Sequence, residues 1–209
     1  LGLPPMIHKF TTLKQGFVLV TGPTGQGKST TLAAILNEIN KQRACHIVTI
    51  EDPIEFILKP DRSIVSQREM GTDTHSWSIA LRSVLREDPD VVLIGEMRDY
   101  ETIAAALTIA ETGHLVFATL HTNSAAQTVD RIVDVFPHEQ QDQVRLQLSQ
   151  VLEAVFSQRL IPSENNQRVM AYELMTASNA IKTAIREGKS HQIDSMIQTS
   201  SEAGMNTLE

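Results

Sequence analysis

The 209-residue sequence contains a single cysteine, Cys45. One thiol excludes a disulfide within the chain and any zinc site built from several cysteines, so we expect no structural zinc. A lone cysteine beside an apolar run is usually a small buried residue. Free thiols also fit a reducing compartment, and we expect a cytoplasmic protein.

Long hydrophobic runs and an excess of basic residues are also missing. The longest apolar stretches, FVLV, VVLI and LVFATL, have the length of core strands and fall far short of the ~20 residues that a bilayer requires. Lys and Arg number 18 against 25 Asp and Glu, which gives a net charge of −7. Because the electrostatic field of a negatively charged chain does not favour binding to a phosphate backbone, we expect no nucleic-acid partner.

The stretch TGPTGQGKSTTL follows FVLV and precedes the helix-favouring LAAILNEIN. It matches G-x-x-x-x-G-K-[ST] in the strand–loop–helix context that phosphate binding requires. Lys28 is expected to reach the β- and γ-phosphates of ATP, and the Ser29 hydroxyl to bind Mg²⁺. We do not expect the Gln26 side chain to be needed. The predicted nucleotide-binding residues are Gly22, Pro23, Thr24, Gly25, Gln26, Gly27, Lys28, Ser29 and Thr30.

Short apolar runs alternate with segments of helical periodicity, which predicts a parallel sheet covered by helices on both faces. The predicted strands are 17–21, 46–50, 91–95, 115–120 and 168–175. Residues 56–58 and 63–67 are interpreted as a β-hairpin, and 138–159 as one long amphipathic segment. Ser124 and Gln127 form a capping box that opens a helix, and two short helices are expected after residue 178.

The stretch VTIEDPIEF delivers Glu51, Asp52 and Glu55 at the end of a predicted strand. Parallel sheets place ligands at this edge, and hydrolysis needs a carboxylate that orients or deprotonates water. Solvated loop acids are the plainer interpretation for any one of them. The residues themselves do not rank Glu55 above Glu51.

The stretch DPDVVLIGEMRD resembles a Walker B strand in which Gly95 holds the usual aspartate position. Glu96 is therefore expected to supply the acidic contact to Mg²⁺, directly or through water. Asp88 and Asp90 lie about 15–20 Å away at the other end of the strand, so they are interpreted as caps or turn residues.

Two histidines flank the strand HLVFATL, about 23 Å apart if the chain is extended. His121 is predicted to lie at the catalytic edge and to donate to the γ-phosphate. His114 would lie at the far edge, in a structural or subunit-interface role. Arg82 and Arg86 are weaker candidates for stabilising transition-state charge, because single surface arginines are usually solvated.

GPTGQGKST, TIEDPIEF, VVLIGEMRD and GHLVFATLHTNSA together resemble the Walker A, Asp box, Walker B and His box of the secretion-superfamily ATPases. That resemblance covers residues 2–208 and implies an α/β fold: a RecA-like P-loop core with a mostly parallel sheet flanked by helices, followed by C-terminal helices. It also implies that Glu55 is the catalytic glutamate and Glu96 the Walker B acid. Gln26 stands where the family more often has Ser.

Two features resemble the pilus retraction branch of this family. SQRL is followed by the short polar loop IPSENNQR, without the cysteines of extension and secretion members. AIRE, at Ala184, Ile185, Arg186 and Glu187, resembles a retraction signature, although periodicity alone favours a solvated helix end for Arg186 and Glu187. The alternatives are an extension or secretion ATPase, or a nucleotide-gated interaction module without significant turnover.

The resemblance further implies partners and boundaries. The expected domains are a linker at 1–14, an ATPase core at 15–162 and a C-terminal part at 163–209. A PAS-like domain is expected to precede the linker, whose first residue here is Leu1 rather than Met. The intact protein is expected to form a hexamer and to bind a pilus platform protein at the inner membrane.

Overall fold

A computed structural model describes residues 3–163, 167–201 and 204–208. Its strands are β1 (Gly16–Thr21), β2 (His46–Glu51), β3 (Ile64–Glu69), β4 (Val91–Ile94), β5 (Leu115–Leu120), β6 (Leu152–Pro162) and β7 (Arg168–Thr176). Its α-helices are α1 (Ile7–Thr12), α2 (Lys28–Gln42), α3 (Trp77–Val84), α4 (Tyr100–Glu111), α5 (Ala125–Asp134), α6 (His138–Val151), α7 (Asn179–Arg186) and α8 (Ile193–Gln198).

The strands form a seven-stranded sheet in the order β3-β2-β4-β5-β1-β6-β7. β2 pairs in parallel with β3 and with β4, and β4 pairs in parallel with β5. β6 and β7 pair antiparallel. The predicted α/β class with a mostly parallel sheet is therefore confirmed.

The chain divides into two compact units. One comprises Leu3–Val18 and Ser29–Thr119, and the other comprises Leu19–Lys28 and the described residues of Leu120–Glu209. The predicted linker at 1–14 contains α1, which buries Ile7 and Phe10. The domain boundaries proposed from the sequence stay a prediction.

In the first unit, the buried β4 lies directly beside β2, with Ile50 opposite Ile94. Their next residues, Glu51 and Gly95, are therefore neighbours at the carboxyl end of the sheet. The side chain of Asp99 accepts a hydrogen bond from the Thr102 amide at 2.9 Å and begins α4 immediately after this edge. The pairing of β2 with β4 and the Asp99 cap of α4 thus determine where the loops after these two strands leave the sheet.

In the second unit, the predicted capping box is confirmed. The Ser124 hydroxyl accepts from the Gln127 amide at 3.2 Å, and the Gln127 side chain accepts from the Asn123 amide at 2.7 Å. The first bond satisfies an amide that the first turn of α5 cannot pair internally, and the second reaches back to the residue before the N-cap. They also hold the chain that connects β5 to α5.

The predicted β-hairpin is wrong. Only Ile64–Glu69 forms a strand, and it pairs in parallel with β2 instead of with residues 56–58. The Gln67 side chain accepts from the Leu58 amide at 2.7 Å and donates to the Phe56 carbonyl at 3.0 Å. A single side chain therefore satisfies the backbone polar groups that a strand partner would otherwise pair.

The single amphipathic segment predicted for 138–159 is also wrong beyond Val151. Helix α6 ends there, and Leu152–Pro162 is a strand whose first half is buried. Burial on both faces gives a strand a continuous apolar run, which resembles a buried helix in sequence. Part of the predicted polar loop after β6, residues 164–166, lies outside the described residues.

Among the described residues, no helix is both long and apolar enough to span a bilayer.

Glu173 of β7 is a buried acid that caps a helix of the same unit. Its Oε1 accepts a hydrogen bond from the amide of Ala125, the first residue of α5, at 2.6 Å. Burial raises the pKa of the Glu173 carboxyl, and the bond from Ala125 offsets that rise only in part. The folded protein therefore holds a proton on Glu173 more tightly than the unfolded chain does.

This pKa shift predicts how stability depends on pH. A raised folded-state pKa means that stability falls as pH rises from about 4.3, the ordinary glutamate value, through the folded pKa. Glu173→Gln keeps an acceptor for Ala125 and removes the charge, so its unfolding free energy should decline less over this range. Urea unfolding between pH 4.5 and 8 measures this difference.

The control is Glu187→Gln, because the exposed Glu187 has a pKa lowered by Lys189. Its effect should be small and of opposite sign, with wild-type stability lost on acidification. Parallel pH profiles for wild type and Glu173→Gln would contradict the assignment.

Candidate active site

The loop between β1 and α2 curls around the side chain of Lys28. The Lys28 Nζ donates to the carbonyls of Gly22 at 2.8 Å and Pro23 at 3.0 Å. Gly22, Gly25 and Gly27 have φ angles of +141°, +76° and +83°, which side-chain-bearing residues rarely adopt. Helix α2 begins at Lys28, so its N-terminal amides and dipole favour an anion at this loop.

Strand β6 packs against this loop through polar groups. The Gln158 Nε2 donates to the Gln26 carbonyl at 2.6 Å, and the Leu160 amide donates to the Gln26 side-chain oxygen at 2.6 Å. The hydroxyls of Thr21 and Ser157 are 2.8 Å apart. Sequence reasoning missed Gln158 and attached little weight to the Gln26 side chain; whether that side chain is needed for phosphate binding stays a prediction. The sequence feature that could have identified Gln158 is the polar pair SQ, which directly follows the apolar run AVF within the predicted amphipathic segment.

His121 follows β5 and reaches the same loop. Its Nδ1 lies 3.5 Å from both the Lys28 Nζ and the Thr24 hydroxyl. His114 precedes β5, and its Nδ1 lies 3.0 Å from the Ile109 carbonyl and from the Thr112 hydroxyl. The two histidines therefore occupy opposite ends of the strand, while their roles stay predictions.

In the first unit, the Ser29 hydroxyl donates to the Glu55 Oε1 at 2.7 Å. Glu51 is engaged elsewhere, since its carboxylate accepts from the Thr49 hydroxyl at 2.7 Å and from Gln67 at 3.2 Å. Burial raises the pKa of Glu51 despite these bonds. The geometry thus separates two acids that the sequence left equivalent, with exposed Glu55 beside Ser29 and half-buried Glu51 behind it.

A side chain at Gly95 would be crowded by the neighbouring strand. A Cβ at this position would lie 3.1 Å from the Glu51 Cα and 3.1 Å from the Ile50 carbonyl oxygen. Glu96, the next residue, forms an ion pair with Arg98 at 2.7 Å. The hydrogen bond that Arg98 donates to the Glu96 carboxylate raises the pKa of Arg98. Close packing of β4 on β2 therefore explains why the acid stands one position after the usual Walker B aspartate.

A small cavity of about 30 Å³ lies in the first unit beside α2 and the ends of β2 and β4. Ser29, Glu51, Gly95 and Thr119 contribute to its walls, together with apolar residues of α2. The structure thus brings together the start of α2 and the ends of β2 and β4. These are the elements to which the sequence assigned magnesium and water chemistry.

The remaining predicted residues lie elsewhere. Arg82, in the last turn of α3, lines a groove of about 870 Å³ between α3 and α4, and both it and Arg86 are exposed. In α7, Ala184 and Ile185 are buried while Arg186 is exposed, which confirms the helix stripe expected from periodicity. Glu187 is exposed and forms an ion pair with Lys189 at 2.7 Å.

The residues present fit a nucleotide with Mg²⁺. In the second unit, the glycine loop and Lys28 suit phosphate oxygens. In the first unit, Ser29 and Glu96 carry oxygen atoms of the kind that a hard cation prefers. The described residues contain no group of three or more His, Cys, Asp or Glu side chains placed to hold a metal ion. Magnesium commonly binds through one or two protein oxygens together with phosphates and water, so this finding agrees with the donor set.

The packing at Gly95 predicts the outcome of a substitution. Gly95→Ala should lower the unfolding free energy by about 1–3 kcal/mol, because the new methyl group meets backbone atoms inside the sheet. The neighbouring Glu96→Ala removes only a partly exposed ion pair and should cost less than about 1 kcal/mol. Chemical denaturation measures both, and equal losses would contradict the steric explanation.

Comparisons with known proteins agree with the motifs. The Type II/IV secretion system protein family matches residues 5–206. The type IV pilus retraction ATPase PilT of Pseudomonas aeruginosa is 54% identical over the whole chain, which covers 61% of that protein. A twitching motility protein of Neisseria gonorrhoeae is 54% identical over 99% of the chain and 55% of its own length. The chain thus spans somewhat more than half of these relatives.

Solved structures of secretion and pilus ATPases also match this chain. A crystal structure of the pilus retraction motor PilT with bound ADP matches with a TM-score of 0.90 and 51% identity, covering 100% of this chain and 63% of that one. The Legionella pneumophila ATPase DotB matches with a TM-score of 0.89 and 31% identity, over 99% and 57% of the two chains. The resemblance inferred from the four motifs is confirmed, and the chain belongs to the Type II/IV secretion system protein family.

Proposed function

We propose that this chain is the core of an Mg²⁺-dependent ATPase that drives type IV pilus retraction. The observation that carries the proposal is the hydrogen bond of 2.7 Å between the Ser29 hydroxyl and Glu55. It joins a hydroxyl in the first turn of α2, directly after the glycine loop, to an exposed carboxylate. Lys28 directly precedes Ser29 in the chain, and both belong to the G-x-x-x-x-G-K-[ST] motif.

In this proposal the loop and Lys28 bind phosphate oxygens, while the Ser29 hydroxyl and Glu96, directly or through water, hold the cation. ATP supplies the phosphoryl group when bound, and Mg²⁺ neutralises charge on it. Glu55 orients a water molecule and accepts its proton as that oxygen bonds to phosphorus and the bond to the ADP oxygen breaks. His121 donates to a phosphate oxygen, and Arg82 and Arg86 are weaker candidates for action across a subunit boundary.

The retraction branch is supported by the extent of the similarity. The match to the Pseudomonas aeruginosa retraction ATPase spans the whole chain, including AIRE, whereas Type II secretion system protein E of Aeromonas hydrophila is 46% identical over 75% of it. We therefore favour retraction over extension or secretion. The intact protein would act as a homo-hexamer on a platform protein at the inner membrane, from the cytoplasmic side of the pilus base.

The first test is Glu55→Gln in the intact-length protein. Removing the proton acceptor should lower the steady-state rate of ATP hydrolysis by about 10²-fold or more while ATP binding is retained. Asp61→Asn makes the same charge change at an exposed loop position and should leave turnover unaltered. Glu51→Gln should also retain more activity than Glu55→Gln.

Two outcomes would count against the proposal. Full turnover in Glu55→Gln would remove Glu55 from catalysis. Negligible turnover in the assembled, Mg²⁺-supplied wild-type protein would instead support the nucleotide-gated module.

Retraction itself is tested through AIRE. Arg186 is exposed at the end of α7, so Arg186→Ala should leave ATP hydrolysis near wild type but reduce pilus retraction in cells that lack another copy. Arg168→Ala, an exposed arginine on β7, is the control. Normal retraction with Arg186→Ala would argue against a partner-contacting role for this residue.

A further inference from the structure

We propose that Gln26 and Gln158 form a clasp that positions the phosphate-binding loop, and that this clasp sets the affinity for nucleotide. The inference rests on the proposed nucleotide site and assigns positioning residues to it. Neither glutamine is expected to contact the reacting atoms. Each acts through the backbone of the loop.

The clasp consists of two hydrogen bonds that hold both ends of one loop residue. The Gln158 Nε2 donates to the backbone carbonyl of Gln26, and the Leu160 amide donates to its side-chain oxygen, each at 2.6 Å. Gln158 is only 1% exposed. A buried amide gains most from a satisfied partner, because an unpaired polar group in that position carries the cost of desolvation.

Strand β6 also approaches the glycines on either side of Gln26. A Cβ at Gly22 would lie 2.3 Å from the Gln158 carbonyl oxygen, and one at Gly27 would lie 3.3 Å from the Gln158 Nε2. The loop therefore rests on the Gln158 backbone at one end and on its side chain at the other. From the inside, the Lys28 ammonium holds Gly22 and Pro23.

This arrangement matters for nucleotide binding because the glycines allow the loop backbone many conformations. Glycine backbone loses more conformational freedom on ordering than any other residue. A loop already fixed by β6 does not have to be ordered when phosphate binds, and preorganisation of this kind raises affinity. The three glycines cannot make the loop rigid by themselves. The clasp thus supplies this rigidity from β6, a strand distant in the sequence.

The test measures ADP affinity by isothermal titration calorimetry with Mg²⁺, using the intact-length protein. Gln158→Met keeps the length of the side chain and removes its donor, so the Kd for ADP should rise about tenfold. Gln26→Ala removes the acceptor for Leu160 on a partly exposed residue and should raise Kd several-fold. Arg159→Gln, an exposed neighbour on the same strand, should leave Kd unchanged.

Steady-state kinetics separate positioning from general destabilisation. The clasp variants should raise the KM for ATP more than they lower kcat, measured well below their melting temperatures. A merely structural role would lower Tm and leave the Kd of the folded protein unchanged. If Gln158→Met does not fold, Gln26→Ala carries the test.

The outcomes distinguish this inference from the function on which it rests. Unchanged Kd and KM in folded Gln26→Ala and Gln158→Met, with normal binding by wild type, would overturn the clasp alone. Failure of the wild-type protein to bind ADP at all would overturn the nucleotide site as well.

Discussion

The close approach of β6 to the loop after β1 is the constraint on which the rest of the site depends. Gly22 passes so near the Gln158 carbonyl that a Cβ would lie 2.3 Å from it, and the loop then turns around the Lys28 ammonium. A side chain at position 22 would force the loop away from the strand. Helix α2 begins at Lys28, the last residue of the segment Leu19–Lys28 that belongs to this loop's unit.

A similar steric rule operates at the end of β4. Gly95 lies against the Ile50 carbonyl and the Glu51 backbone, so a side chain there would crowd the parallel strands. The predicted acidic residues stand elsewhere, at Glu96, one residue later, and at Glu55, in the loop after β2. Tight backbone packing thus limits which positions at this edge can carry a side chain. The acids predicted to bind magnesium and to activate water stand at other positions.

The local parts of this site could be predicted from the sequence, because a strand, a glycine loop and a helix follow one another within 27 residues, from Gly16 to Gln42. Pairings between distant segments could not. Residues 56–58 look like a strand, yet Gln67 binds their backbone, and the start of β6 looks helical because it is buried on both faces. Likewise, Glu51 and Glu55 differ only through Thr49, Gln67 and Ser29, whose contacts depend on the folded sheet.

The β6–β7 hairpin links several functional segments of its unit by direct hydrogen bonds. On β6, Gln158 holds the glycine loop, while Glu173, paired with Ser157 across the hairpin, caps the start of α5. The chain leaving β7 enters α7 through the Ser178 cap, and Ile185 of AIRE is buried there. The two strands are paired from Ala154 and Thr176 to Pro162 and Arg168, so both hydrogen bonds are anchored in one continuous ladder. The hairpin, which carries no predicted catalytic residue, is thus the element that holds both the glycine loop and the start of α5.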